Sequence, residues 1–521
     1  MSDLDFLIVV PPLELNREKF WDNLDDTMVF KDTRALFREA ISRIFSPTLN
    51  TIAVATKIKE LGYSIELLDL ALEFGIPFNA IGIERRYEKF SHYLKTHFPN
   101  FGVFISSLSA RDHCAIRRLA LEVKKHEPRC PVILGGYHAN ACTSDLLADP
   151  SIDFIVLSDF EPIAKKVLDF LVDPHKIRTE DIPNFCLKDQ DGNPKIPIRR
   201  SFRPQDILSK FDFEIVDRYL PMYDMLGMVS SKGCTFSCKF CSERTVRDVY
   251  AELPPLEAAS MAIGILNQFE KKTGKKDIGF YFMDALFSPS HIRGLAQAFI
   301  DLGSPLHWTF QTRVDLLGDC DFGLLRRSGC YLINVGLESL SPSMLLRLGK
   351  TQHPIQYLGA FRKILDKANQ EGIDVEFNIL FGAPGETRET LAETRRGIET
   401  TVKEFPTSSV NLNLFRLFPE TQSHVEAGKL YGSEILMPNW WLTGIVPEIT
   451  VTVKPSTNLL PNDLIVFYEQ MYSTDVCYKR RGSLMNSEKW LREGQISVDA
   501  LRPWAEEKRE AFLSKLSAMP T

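Results

Sequence analysis

The chain is predicted to be an α/β protein made of two parallel-sheet units in series, and two stretches of alternating pattern predict it. Over residues 1–190, short β-branched runs alternate with helical stretches: FLIVV, TIAVATKIKELG, YSIELLDL, FGVFISSLS, RRLALEVKKHEP, PVILGG, FIVLSD and PIAKKVLDFL. Over residues 225–450 the alternation resumes with LGMVSS, IGFYFMD, LHWTFQTR, YLINVGLES, VEFNILFG and VNLNLFRL, each followed by a loop and a helical stretch. Strands separated by helices of this length pair in parallel. The first unit therefore reads as a doubly wound, Rossmann-like sheet, and the second as six strand-helix units curling into a partial barrel. Residues 191–224, rich in Pro, Arg and Asp, read as a linker; within them Arg199 and Arg200 read as a solvated pair without a role. Residues 451–521 read as a small, helical and charged C-terminal region.

A chain of 521 residues exceeds one ordinary core and suggests two to four units. Hydrophobic content of 44% with 25% charged residues is that of a soluble globular protein. A net charge of -6 without a long Lys/Arg tract argues against a nucleic-acid partner. No apolar run approaches the roughly 20 residues of a membrane span, and the start carries Asp3 and Asp5 rather than a basic leader. The expected location is the cytosol, with no membrane partner. Of the ten cysteines, those at 114, 130, 142, 186, 320, 330 and 477 show no framework spacing and read as small buried hydrophobes.

The other three, Cys234, Cys238 and Cys241, form C-x3-C-x2-C within SSKGCTFSCKFCSERT. Three thiolates can hold three irons of a 4Fe-4S cluster and leave the fourth open to a small molecule. Zinc is the competing reading, but zinc sites usually pair two C-x2-C knuckles or add histidines, and neither lies nearby. The spacing, with Phe240 before the last cysteine, resembles the hallmark of the radical S-adenosylmethionine (SAM) superfamily. That resemblance implies an enzyme whose open iron chelates the amino and carboxylate groups of SAM. An electron from a flavodoxin- or ferredoxin-type donor would then cleave SAM to a 5'-deoxyadenosyl radical.

The resemblance continues along the second unit. In FYFMDALFS, Asp284 keeps the first of two acidic positions and Ala285 replaces the second; Asp284 could accept from a ribose or an ammonium group, or cap the next helix. In NVGLESLSPSMLLRLGK, Glu338 occupies the position that resembling proteins use toward the nucleoside, and Lys350 closes the following helix. In FGAPGET, the turn at Gly382, Pro384 and Gly385 could edge the adenine. In WTFQTRVD, Gln311 and Arg313 lie two apart on one strand face. Arg313 is suited to clasp the SAM carboxylate in two-pronged fashion, with an Asp315 pair as the alternative.

In the first unit, ligands are expected beyond the carboxyl ends of the strands. That rim holds Ser107, Leu108, Ser109, Gly135, Gly136, Tyr137 and His138. Together with the Pro pair after strand one, SPTLNTIAVATKIKELGYSIELLDL and DFIVLSDFE, these loops resemble the cobalamin-binding domain that precedes one large group of radical SAM enzymes. There are two departures. The D-x-H-x-x-G histidine motif is absent, since Asp112-His113 is followed by Cys114, so cobalt without a protein imidazole is implied and His138 reads as a loop residue. The loop that normally reads G-E-G-E is Ser158, Asp159, Phe160 and Glu161, of which only Glu161 matches.

The implied activity is a cobalamin-dependent radical SAM methyltransferase acting on an unactivated carbon or phosphorus centre of a small-molecule or peptide substrate. Rivals are a cyclase or rearrangement enzyme with the same cofactors, and a front unit that has lost cobalamin. A tRNA methylthiolation enzyme would show extra cluster cysteines and a basic β-rich tail, which are not evident. Trp440 and Trp441 are expected to plug a domain junction or line the substrate pocket.

Overall fold

A computed structural model of the protein describes residues 3–12, 46–74, 80–223, 225–276, 278–303, 306–443 and 450–473. The first sheet holds β1 (Phe6–Val10), β2 (Ile65–Asp69), β3 (Gly102–Ser106), β4 (Val132–Gly135), β5 (Phe154–Val156), β6 (Phe185–Lys188) and β7 (Pro194–Lys195) in the order β2-β1-β3-β4-β5-β6-β7. The first five run parallel, and β6 and β7 add an antiparallel hairpin. Phe6, Leu7, Ile8 and Val9 are all buried, because a parallel strand covered by helices has no face left for water. The order reverses between β1 and β3, which opens a crevice beyond their carboxyl ends.

The second unit begins with β8 (Met225–Met228). A short antiparallel pair, β9 (Ser231–Lys232) with β10 (Ala251–Glu252), then brackets the cysteine loop. β11 (Gly279–Phe282), β12 (His307–Arg313), β13 (Cys330–Glu338), β14 (Asp374–Phe381) and β15 (Ser408–Leu414) complete a six-stranded parallel sheet in the order β15-β14-β13-β12-β11-β8. One side-chain parity, including Phe282, Trp308, Phe310, Val335, Phe377 and Leu412, is buried in the main hydrophobic core. The other parity is polar. Gln311, Asn334, Glu376 and Ser409 lie in one register across four strands, and Asn378 pairs with Asn411 in the next layer, its Oδ1 accepting from Asn411 Nδ2 at 2.9 Å. The inner face of the barrel is thus hydrogen-bonding rather than apolar.

The linker packs more tightly than its irregular sequence suggests. Phe211, Phe213, Val216, Tyr219, Leu220 and Tyr223 are all buried in the core that joins both units. They sit on or beside short 3-10 turns at Phe213–Val216 and Leu220–Met222. Such turns have no long period to read. Asp212 N–H donates to Thr56 Oγ1 at 2.9 Å on the helix Leu49–Glu60, so the strap is pinned to the first unit.

Trp440 and Trp441 lie in the cluster formed by the outer face of the first sheet, although they follow the barrel in sequence. Trp440 Nε1 donates to Leu417 O at 2.9 Å. They plug the junction between the units, one of the two placements expected for them. Of the C-terminal region expected to be helical, Pro461–Ser473 is a helix; residues 474–521, with Cys477, lie outside the described residues. Among the described residues no helix is long and apolar enough to cross a membrane.

Because the Trp440 ring is buried and its indole N–H is already bonded to a carbonyl, Trp440→Ala is expected to cost about 3–5 kcal/mol and Trp440→Phe appreciably less. The measurement is the shift of the unfolding midpoint in urea.

Candidate functional site

The loop carrying the three thiols is held by backbone before it is held by anything else. Gly233 has φ +84°, and a Cβ there would lie 1.8 Å from Val249 O, so no other residue fits. Its N–H donates to Glu243 Oε1 at 3.1 Å. Lys239 N–H donates to Leu348 O at 3.0 Å, and Phe240 packs on the apolar cluster of Met344, Leu348 and Ala383. The thiols of Cys234, Cys238 and Cys241 are all partly exposed and unbridged. Backbone N–H groups of Phe236 and Glu243 donate to Cys234 Sγ and Cys241 Sγ at 3.5 and 3.4 Å. Burial pushes the Cys241 thiol up to about 12, so a metal is needed to hold it as thiolate. Among the described residues no three His, Cys, Asp or Glu converge on a point where one ion could sit.

Arg313 makes the pair with Asp315 that was the alternative expected for it. Its Nε and Nη2 pair with Asp315 at 2.9 and 2.8 Å, Nη2 also donates to Lys350 O at 2.6 Å, and Nη1 donates to Cys238 Sγ at 3.2 Å. The guanidinium lies 3.7 Å from the Phe236 ring centroid. Its donors go to Asp315, the Lys350 carbonyl and the Cys238 thiol, so it braces the cysteine loop. Gln311 is likewise engaged, donating to Asp284 O at 2.8 Å and accepting from Tyr281 Oη at 3.0 Å. Asp284 is fully buried. Its Oδ1 accepts from Ser231 N–H and from Ser230 Oγ, and Ser230 Oγ meets His291 Nε2 at 2.9 Å. Asp284 thus fixes the strand that leads into the cysteine loop.

Glu338 sits at a register shift in β13 with φ +73°, a geometry that re-aims a strand-end side chain. Its Oε1 accepts from Lys350 Nζ at 3.0 Å. At the FGAPGET turn, Gly385 N–H donates to Pro455 O at 2.8 Å, Gly385 O accepts from Arg347 Nη1, and Tyr431 covers the turn. The N–H and carbonyl of Gly385 are therefore both engaged within the protein.

In the first unit, Gly136 has φ +117°, and a Cβ there would lie 2.6 Å from Ser107 O. This glycine lets the β4 loop close onto the β3 loop, where His138 N–H donates to Ser107 O at 3.0 Å. A narrow slot of about 100 Å³ opens beside these loops, lined by Leu108, Gly135, Tyr137 and Phe160 from the first unit and by Lys232 and Arg247 from the second. A larger cleft of about 400 Å³ adjoins it, reaching from Pro11, Asn50 and Asp69 across to Gly233, Met283 and Ala285 at the barrel mouth. Of the expected rim residues, Ser107 is buried under Gly136 with its Oγ unpartnered, and Ser109 precedes a 3-10 turn. His138 is removed from the cleft altogether: it is buried, and its Nε2 meets His113 Nδ1 at 2.8 Å. Burial lowers both imidazoles, His113 to about 4 and His138 to about 3, so the pair is neutral.

The loop replacing G-E-G-E turns at Ser158, φ +62°, whose N–H donates to Asn140 Oδ1 at 2.7 Å. Phe160 packs on Phe104. The loop's carboxylates meet two cations that the sequence did not single out. Lys232 Nζ lies 3.1 Å from Asp159 Oδ1 and 2.8 Å from Glu161 Oε1, and Arg247 pairs with Asp159 at 2.9 Å and Glu243 at 3.0 Å. Burial would raise the Asp159 carboxyl, but Lys232 and Arg247 outweigh it and hold it well below the usual range. Tyr137 Oη donates to Glu243 Oε2. Arg199, read as solvated, instead donates to the Thr245 and Val246 carbonyls and to Asn140 Oδ1. The one sequence signal for Lys232 and Arg247 was position, since they flank the cysteine motif.

Burial raises the Asp284 carboxyl to about 7, against an unfolded value of about 3.9. Below about pH 4 both states hold the proton, and between about 4 and 7 the folded state alone retains it, so the native state loses stability as pH rises through that window. Asp284→Asn keeps an acceptor for Ser230 and Ser231 and has no such window. Its stability relative to the parent is expected to improve from pH 4 to pH 7 and then level off in urea titrations across pH.

Residues 228–398 match the radical SAM superfamily. The chain is 24% identical over 204 residues to bacteriochlorophyllide d C-12(1)-methyltransferase of Chlorobaculum tepidum, covering 38% of this chain and 43% of that one. It is 23% identical over 293 residues to the anaerobic magnesium-protoporphyrin IX monomethyl ester cyclase of Cereibacter sphaeroides, covering 54% and 45%. These matches span less than half the length of either relative. The radical SAM methyltransferase TsrM from Kitasatospora setae, solved with cobalamin and a [4Fe-4S] cluster bound, superposes with a TM-score of 0.59 at 17% identity over 89% of this chain and 84% of that one. The two-unit α/β architecture is therefore shared with TsrM, and residues 228–398 carry the match to the radical SAM superfamily.

Proposed function

We propose that the protein is a cobalamin-dependent radical SAM methyltransferase acting on a polar small molecule. The observation that carries this reading is the continuity of the slot, the cleft and the cysteine loop. Ser106, Leu108, Tyr137, Lys232 and Arg247 line both cavities, and the cleft ends on Gly233 beside Cys234. When bound, the cluster with SAM supplies a radical able to abstract an unactivated hydrogen, and cobalamin supplies a transferable methyl group.

The residues present suit these groups. Cys234, Cys238 and Cys241 would hold three irons, and the Arg313 N–H at Cys238 Sγ would stabilise a thiolate there. Nothing lies within 4 Å of where a Cβ of Gly135 would stand, and Gly135 and Gly136 both line the slot. His113 and His138 bond to each other and line neither the slot nor the cleft. The rim of the first unit faces the barrel mouth across the cleft, where it would help shield a reacting carbon from water. Inward-facing Gln311, Asn334, Glu376, Asn378 and Asn411 favour a substrate rich in hydrogen-bonding groups. Reduction by a flavodoxin- or ferredoxin-type donor in the cytosol completes the reading.

Anaerobically reconstituted protein is expected to show a low-spin iron-sulfur resonance that shifts on adding SAM, and to retain hydroxocobalamin by absorbance. Cys238→Ala is expected to lose the resonance. During turnover, S-adenosylhomocysteine and 5'-deoxyadenosine are expected near one to one. The similarity to a cyclase favours a second reading without methyl transfer, and turnover that yields no S-adenosylhomocysteine would establish it instead.

A further inference from the structure

We infer that Arg247 is a positioning residue that couples the slot of the first unit to the cysteine loop of the second, so that filling one changes the affinity of the other. This rests on the reading that the slot takes a corrinoid and the loop takes a cluster with SAM. Arg247 follows directly on the short helix Glu243–Val246, which leads out of the cysteine loop. Its guanidinium bonds to partners from both units.

From the first unit, Asp159 accepts from Arg247 Nε at 3.0 Å and from Nη2 at 2.9 Å, and Tyr137 Oη accepts from Nη1 at 2.9 Å. From the second unit, Glu243 Oε1 accepts from Nη1 at 3.0 Å. The same Glu243 oxygen accepts the Gly233 N–H at 3.1 Å, and Glu243 Oε2 accepts from Tyr137 Oη. A chain of hydrogen bonds therefore runs from Asp159 through Arg247 and Glu243 to the backbone beside Cys234. Arg247 and Tyr137 are also walls of the slot and of the cleft. A group entering the slot presses on the side chains that set the cysteine loop.

A buried, fully bonded network of this kind has few alternative arrangements, so displacement at one end is felt at the other. By linkage the effect is reciprocal. The planar fork of arginine is needed: lysine keeps the charge but cannot bond to Asp159, Tyr137 and Glu243 together. Lys232 has a different part, since its bonds to Asp159 and Glu161 dock the units directly onto the strand before the loop.

The test measures hydroxocobalamin affinity by absorbance titration on two forms of the full chain. One is cluster-reconstituted and saturated with SAM; the other is made cluster-free by replacing Cys234, Cys238 and Cys241 with Ala. The two dissociation constants are expected to differ by about fivefold or more, and Arg247→Lys is expected to bring their ratio close to one while corrinoid is still retained. Asp159→Asn, which keeps the shape and loosens the grip on Arg247, is expected to reduce the ratio in the same direction and carries the test should the lysine variant fail to fold. Equal constants in the parent, or a ratio unchanged in either folded variant, overturn the coupling and leave the proposed function standing. A parent protein that retains no corrinoid in either form overturns both.

Discussion

The arrangement of this molecule depends on one buried electrostatic contact between its two units. Asp159 and Glu161 reach from the first sheet to Lys232 and Arg247, which flank the cysteine loop, and every one of the four side chains is nine-tenths or more buried. Taking these charges out of water costs several kcal/mol per ion, and their attraction does little more than offset it. Removing one partner would strand another in a dry site, at about 3–5 kcal/mol. The network is therefore a poor source of net stability and a strong constraint on geometry: it tolerates one docking of the units and penalises others.

Apolar contacts complete what the charges select. The strap from Phe211 to Tyr223 joins the cores of both units, and the Trp440–Trp441 pair closes the outer face of the first sheet from the far end of the barrel. Hydrophobic burial supplies the free energy without direction, and the ion pairs supply the direction. The cleft between the units is consequently a product of docking, since neither sheet alone encloses it.

Much of the fold was legible in the sequence because burial on both faces leaves a simple mark. Runs such as FLIVV and GVFIS have no polar alternation, and the cysteine spacing and the Gly135-Gly136 rim are local features that keep their meaning in any fold. The partners of long polar side chains were not legible. Strand parity put Gln311 and Arg313 on one face and Asp315 was a partner within local reach, but neither could say that Lys350 O and Cys238 would also meet the guanidinium. Asp284 was read toward a ligand or the next helix and turns to Ser230 and Ser231 instead. Arg199 was set aside because its carbonyl partners lie 46 and 47 residues away, a distance no local pattern spans.

The departure at residues 158–161 shows how such misreadings arise. A loop of glycines and glutamates can be judged by backbone freedom alone, and Phe160 then looks like damage. In the structure the left-handed turn falls on Ser158, supported by Asn140, while Phe160 fills a space against Phe104. Among the described residues the carboxylate at Asp159 is the one group that meets both cations at once, since Glu161 pairs with Lys232 and Glu243 pairs with Arg247 from within the second unit. The sequence change in the loop and the basic residues beside the cysteines therefore make physical sense only together, as the two halves of one contact.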